Sequence, residues 1–270
     1  VTANQGFSTP ANLPGLADSP TYARILNEIN FYRNPSGGMN QIYTEEEITL
    51  FANGSNPDVY PNTSWTDEAI SDWSLQDNEN VSIRGGGENF RYFTSLGRTN
   101  QDGIYKSGIN NYKQVNLRAN LDVDVTSNLT LGVDLNYRKE DRLFPTRSAG
   151  DIFRAIYRTY PTIPARYSNG LPSAGVEQGQ NPIIIPTGIP GTDVQPTTVL
   201  NSTITLDYKL PIEGLSIKGF YSEDRSFAAR KRFAIPFTVY QIDNSTSPAT
   251  FNEVVAGPDS RTPELLQAQD

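Results

Sequence analysis

The sequence has no cysteine and no histidine. That removes disulfide staples, thiol nucleophiles, zinc sites built on imidazole or thiolate, and any Ser-His-Asp triad. Positive charge is also short: 22 Lys and Arg face 30 Asp and Glu, for a net charge of −8. A nucleic-acid partner needs the opposite balance, because neutralising phosphates takes a surplus of cations. No apolar run reaches the length of a membrane-crossing helix, and the mean hydropathy is −0.49. This absence leaves a membrane β-barrel open, since its strands show lipid only every second residue. The first residues lack a charged segment followed by an apolar one, so no signal peptide is read there, and Val1 reads as the interior of a longer protein.

What the sequence does have is two-residue alternation. From Asn116 to Val125, Leu117, Ala119, Leu121, Val123 and Val125 alternate with Asn116, Arg118, Asn120, Asp122 and Asp124. After the polar turn Thr126 to Asn128, Leu129, Leu131, Val133, Leu135 and Tyr137 alternate with Thr130, Gly132, Asp134, Asn136 and Arg138. This is a long hairpin with one apolar and one polar face. The same pattern predicts strands near 1–8, 79–85, 89–99, 112–125, 129–140, 199–210, 214–224 and 233–240, the last weakened by Pro236. Between them lie long loops at 9–77, 141–198 and 241–270, the last read as loop throughout.

The long loops carry helical signals. Ser19 and Pro20 suit a helix start, followed by a stripe of Tyr22, Ile25, Leu26 and Ile29. Thr44 with Glu47 forms a capping box ahead of Ile48, Leu50 and Phe51, and amphipathic turns are expected near 66–73 and 151–160. In the tight turn Gly85-Gly86-Gly87, glycine is expected to supply positive φ; no Lys-Ser or helix follows to make a phosphate cradle.

The connections alternate between long and short along the chain, which puts the short turns on one edge of an antiparallel sheet and the long loops on the other. Outer-membrane barrels sort their loops in this way, and Tyr137, Tyr208 and Tyr221 are placed near strand ends as an aromatic girdle requires. A soluble or secreted carbohydrate-binding β-sandwich, with the apolar face turned to a core, is the alternative.

The run Val81-Ser82-Ile83-Arg84-Gly85-Gly86-Gly87-Glu88-Asn89-Phe90-Arg91-Tyr92-Phe93, with Asn100-Gln101-Asp102-Gly103-Ile104-Tyr105, resembles the early barrel of SusC/RagA-type TonB-dependent outer-membrane transporters. The hairpin from Tyr112 to Asn136 resembles the next segment of that family, and Asn56-Pro57-Asp58-Val59-Tyr60-Pro61-Asn62-Thr63-Ser64-Trp65 its first large loop. The resemblance implies an all-β fold, in which 1–270 supplies about seven or eight strands of a barrel of about 22. The plug and TonB box would lie elsewhere, just before this segment. It also implies the outer membrane of a Gram-negative bacterium as location. The implied partners are lipid, the plug and remaining strands, the TonB complex, a SusD-like surface lipoprotein, and an oligosaccharide (glycan) or peptide cargo. No catalysis, cofactor or metal is implied.

On that reading the charges beside Leu117 to Leu135 face a lumen and are hydrated or paired. Asp122 and Asp124 share a strand face, yet no third acidic group or loop glycine supports a catalytic pair or a calcium site. Asn-x-Ser/Thr sequons at Asn53, Asn62, Asn80, Asn128, Asn201 and Asn244 read as compositional. Substrate or lid contacts are sought among the loop aromatics Trp65, Trp73, Tyr105, Tyr157, Tyr160 and Tyr167, whose plainer role is to pack the loops together.

Overall fold

Alternation builds a sheet whose spatial order follows the chain. In the computed structural model, residues 1–177, 180–258 and 262–269 are described. The strands are β1 (Thr2–Ser8), β2 (Ser74–Gly86), β3 (Phe90–Asp102), β4 (Asn111–Thr126), β5 (Leu129–Phe144), β6 (Gly191–Lys209), β7 (Ser216–Ala234), β8 (Phe237–Asp243), β9 (Thr250–Ala256) and β10 (Glu264–Gln269). Eight of them form one sheet in the order β1-β2-β3-β4-β5-β6-β7-β10, and β8 pairs with β9 in a separate sheet. Every pairing between these strands is antiparallel, and β1 is not joined to β10, so the wall is open. The helices are α1 (Ser19–Arg33), α2 (Glu45–Asn53), α3 (Trp65–Ala69) and α4 (Ala149–Arg158), all in long connections.

Register aligns the apolar residues into rows. Val81, Leu96, Leu117, Tyr137 and Leu200 lie side by side from β2 to β6. Tyr92, Leu121, Val133, Ile204 and Tyr221 form another row, and Phe90, Val123, Leu131 and Leu206 a third. On β5 this band runs from Leu129 to Tyr137, about 27 Å at about 3.4 Å per residue. A strand tilt of about 40° reduces the height to about 21 Å, close to the roughly 25 Å apolar belt of an outer-membrane barrel. Beyond it on the same face the residues become charged: Arg98 lies 3.7 Å from Glu79 and Lys139 lies 3.3 Å from Asp141. One row of the band carries Thr94 on β3 and Ser202 on β6, and β7 brings charge into it, where Glu223 and Arg225 pair with each other.

The opposite face is a polar lattice. Arg118 donates from Nε to Asn120 at 3.0 Å, Asn120 donates to Asp134, and the Arg118 guanidinium sits 6.0 Å from the centre of the Phe93 ring. Thr130 donates to Asp124 at 2.7 Å, and Asn201 to Asp224 at 2.7 Å. Asp122 lies 3.9 Å from Arg91, so the two aspartates that shared a strand face are engaged separately.

The hydrophobic core lies elsewhere. Its buried members include Trp65, Ile70, Tyr105, Ile152, Ile156, Ile184, Ile185, Phe237, Val239 and Ala256. All sit in the long connections or in β8 and β9; none belongs to the eight-stranded sheet. Those connections therefore fold as a cap on one edge, while the apolar band of the sheet stays bare.

Several expectations need correcting. The strands extend further on the long-loop side than alternation indicates: β2 starts at Ser74, β5 runs to Phe144, β6 starts at Gly191 and β7 runs to Ala234. Backbone pairing continues there although the one-sided apolar pattern has ended. The segment expected as one strand at 233–240 is divided, because Pro236 has no N–H for a ladder; Phe233 and Ala234 end β7, and Phe237 opens β8. The tail read as loop contains β9 and also β10, which pairs with the far end of β7. Tyr221 lies in the middle of the apolar band rather than at its rim, since β7 continues past it.

The cap of α1 is Asp18, not Ser19, and it accepts from the Thr21 N–H at 2.9 Å. That helix buries Ser19, Pro20, Ala23 and Asn27 and leaves Ile25 and Ile29 exposed, because Asn27 is needed inside to bind the backbone of Ile42 and Tyr43. The Thr44–Glu47 capping box is present at α2. Gly85, Gly86 and Gly87 do not adopt positive φ; the constraint is space. A methyl group at Gly86 would lie 2.5 Å from the Phe90 carbonyl oxygen, and one at Gly87 would lie 2.9 Å from the Phe90 ring.

Candidate functional site

Two cavities open in the cap, and α4 stands between the segments that form them. Ser148 starts this helix: its Oγ accepts from the Asp151 N–H at 3.1 Å and donates to the Asp151 carboxylate at 2.7 Å. The hydroxyl, together with Arg154 at 3.0 Å, holds the Asp151 carboxyl below the usual aspartate value. Ile152, Ala155 and Ile156 face the core, which turns Tyr157 outward.

The first cavity is about 450 Å³, with Leu16, Tyr22, Trp65, Tyr157, Tyr160 and Glu177 among its walls. It exists because two distant loops are stitched together. Trp65 donates from Nε1 to the Tyr160 carbonyl at 2.9 Å, and the Thr63 N–H donates to the Pro161 carbonyl at 3.0 Å. Trp65 is only 1% exposed, so its indole is a structural anchor, whereas Tyr160 is 44% and Tyr157 36% exposed. Tyr160 stacks on Tyr22 with ring centres 5.3 Å apart, and Tyr157 stacks on Phe153 at 6.0 Å. Burial raises the Tyr22 hydroxyl above the usual tyrosine value, so it remains a neutral donor. One ion-pair cluster, Arg154 and Arg158 on Glu177, borders the opening. Exposed, preoriented aromatic faces with few polar groups suit sugar rings or apolar peptide side chains.

The second cavity, about 610 Å³, lies where the polar face of β5 to β7 meets α4. Phe144, Asp193, Arg230 and Arg232 come from the sheet, Arg147 and Phe153 from the α4 segment, and Tyr105 from the β3–β4 loop. Burial pushes the Tyr105 hydroxyl up to about 12. Asp193 is buried and gripped by Arg230, with contacts of 3.0, 3.2 and 2.6 Å.

The six aromatics singled out in the sequence thus divide. Trp65, Tyr157 and Tyr160 meet at the first cavity and Tyr105 lines the second. Trp73 is exposed, lies edge-on to Phe7 at 5.2 Å, and borders a different depression beside Ser71 and Asp102. Tyr167 is buried: its hydroxyl donates to the Tyr240 carbonyl at 3.3 Å and accepts from the Ile242 N–H at 3.1 Å, which ties β8 to the cap. Sequence reasoning missed Tyr22 as a wall residue, and it missed Arg147, Arg230, Arg232 and Asp193 altogether. The run Arg230-Lys231-Arg232 was the available signal, since alternate residues of a strand share a face. Among the described residues, no group of three or more His, Cys, Asp and Glu is placed to hold a metal ion.

No family model matches the chain. A curated relative, a TonB-dependent receptor from Formosa agariphila, is 39% identical over 89 residues, covering 33% of this chain and 9% of that receptor. The fold matches the RagAB peptide importer in its open-open state with TM-score 0.60 and 16% identity, over 87% of this chain and 28% of that one. It matches the closed-closed state with TM-score 0.64 and 13% identity, over 99% of this chain and 38% of that one. The chain therefore spans well under half the length of each of these proteins. About a third of the chain is thus similar in sequence to part of a TonB-dependent receptor, and its open antiparallel wall with loops gathered on one edge has the fold of part of the RagAB importer.

Proposed function

We propose that the chain forms part of the wall and the extracellular cap of an outer-membrane active importer of oligosaccharides or peptides. The observation that carries this reading is the inversion of burial: among the described residues the hydrophobic core is in the cap, and the apolar band of the sheet stays exposed. Lipid is the solvent that such a band fits, and the polar face then lines the lumen against a plug. A carbohydrate-binding sandwich would need a second sheet over the band. The β8–β9 pair instead gives Phe237, Val239 and Ala256 to the cap core.

The stacked tyrosines of the first cavity are the first cargo contact in this reading, and the lumen-mouth cavity beneath is the next. A SusD-like lipoprotein would close over the cap, and TonB, acting through the plug, would supply the energy. No step is catalytic. The test is to place Arg at Leu121 and, separately, at Val133 in the full-length receptor. Each should cost about 2 to 4 kcal/mol at the bilayer midplane and lower the amount assembled in outer membranes. Wild-type yield of both variants would sink the lipid-facing assignment.

A further inference from the structure

The second cavity differs from the first in charge. Arg147, Arg230 and Arg232 line it, against Asp151 and Asp193, in a chain whose net charge is −8. Both carboxylates are already engaged. Asp151 accepts from Ser148 at the head of α4 and pairs with Arg154, and Asp193 is clamped by Arg230 through Nε and Nη2. The guanidiniums are only partly committed. Arg147 donates from Nη2 to the Gly257 carbonyl at 2.7 Å. Arg232 donates from Nε to the Thr146 carbonyl at 3.2 Å and lies 3.8 Å from Glu264. Each guanidinium has five N–H donors, so each keeps some for a ligand, and the contacts already made fix where those donors sit.

We propose that this cavity recognises a carboxylate on the cargo, held by Arg147 and Arg232 with Arg230 locked beside them. The guanidinium fork matches a carboxylate in two parallel hydrogen bonds, and the aromatic floor of Tyr105, Phe144 and Phe153 lowers the local dielectric that would weaken them. Further along the same polar face, nearer the short turns, Arg84, Arg91 and Arg118 are interspersed with Asp122, Asp124 and Asp134, and Asp122 is within 3.9 Å of Arg91, whereas at the mouth three arginines line one cavity whose two carboxylates are already engaged. The first cavity gathers no such cluster: among its described lining residues Arg158 stands alone and is paired with Glu177. This proposal rests on the import reading and names the chemistry of the cargo, which an acidic oligosaccharide or a peptide would each supply.

The experiment is calorimetric binding to the complete receptor in detergent. The probes are trigalacturonate and its methyl ester, and a tripeptide with a free C-terminus and its amide. At least one acid should bind about tenfold more tightly than its neutral counterpart, with the preference weakening as salt rises. Arg147→Gln and Arg232→Gln should each erase most of that preference, read as the ratio of acid to neutral affinity, and Arg147→Lys should restore part of it. Arg147 contacts a backbone carbonyl, so its removal orphans no buried charge, and heat-modified gel mobility of the barrel verifies assembly. Preference for the uronate alone assigns an acidic glycan, and preference for the peptide alone assigns a peptide. Equal affinity for acid and neutral forms in both pairs, or a preference that survives both Gln variants, overturns the proposal. Cellular uptake of the probes separates the two claims. Binding preference without uptake removes the import reading and keeps the site, whereas uptake without acid preference removes the site and keeps import.

Discussion

At Trp65 and Tyr160 a single hydrogen bond joins positions 95 residues apart, and it decides which ring faces water. The indole is sealed and the phenol is left exposed. Tyr157→Ala and Tyr160→Ala are expected to lower cargo binding about fivefold each without affecting assembly, since stacking on an open ring is worth roughly 1 kcal/mol. Trp65→Ala should instead loosen the whole cap, with a loss of about 3 to 5 kcal/mol seen as faster proteolysis of 9–73. The sequence offered these residues as one undifferentiated set, because burial in a cap depends on contacts between distant loops that no local period encodes. Helix capping was more legible, being local. The Ser148–Asp151 pair also makes a pH prediction. The folded carboxyl titrates below the ordinary aspartate value, so its contribution is present above about pH 4 and is lost as the solution is acidified through the folded pKa. Protection factors of the amides in the first turn of α4, corrected for the intrinsic exchange rate, should therefore fall on acidification, and Ser148→Ala should weaken that dependence.

Among elements, β5 shows what two-residue alternation measures. Apolar side chains mark Leu129 to Tyr137 well, yet the strand continues to Phe144 with Lys139 and Asp141 on the same face. Alternation reports the extent of the apolar band, and backbone hydrogen bonding, which any residue but proline can sustain, sets the strand. That is why strand existence and pairing were readable from residues while the ends on the loop side were not. Nitroxide labels at Leu121, Val133 and Leu135 should be quenched by oxygen, which partitions into lipid, and labels at Asn120, Asp134 and Asn136 by a water-soluble nickel chelate. From Lys139 onward both parities should respond to the chelate. A chelate response at Leu121 and Val133 would contradict the orientation. The missed strands β9 and β10 lacked a one-sided pattern: β10 reads Glu-Leu-Leu-Gln-Ala-Gln and takes its place by pairing with β7.

For the molecule as a whole, the division of labour between cap and wall governs behaviour in solution. The cap buries its own apolar residues, while Ile83, Leu96, Ile204, Ile217 and Tyr221 remain exposed on the band. A face of this size in water drives association. The purified chain should scatter light as large particles without detergent and become monodisperse in micelles. A monodisperse, detergent-free solution would mean that something else covers the band.

One further consequence follows from the order of the sheet. Among the described residues, each strand of the wall lies beside the strand that precedes it in the chain, with the β8–β9 pair as the one interruption. A hairpin could therefore be duplicated or lost without rethreading any other segment. Such a wall can change its width over evolution by whole hairpins, while each loop retains its edge of the sheet.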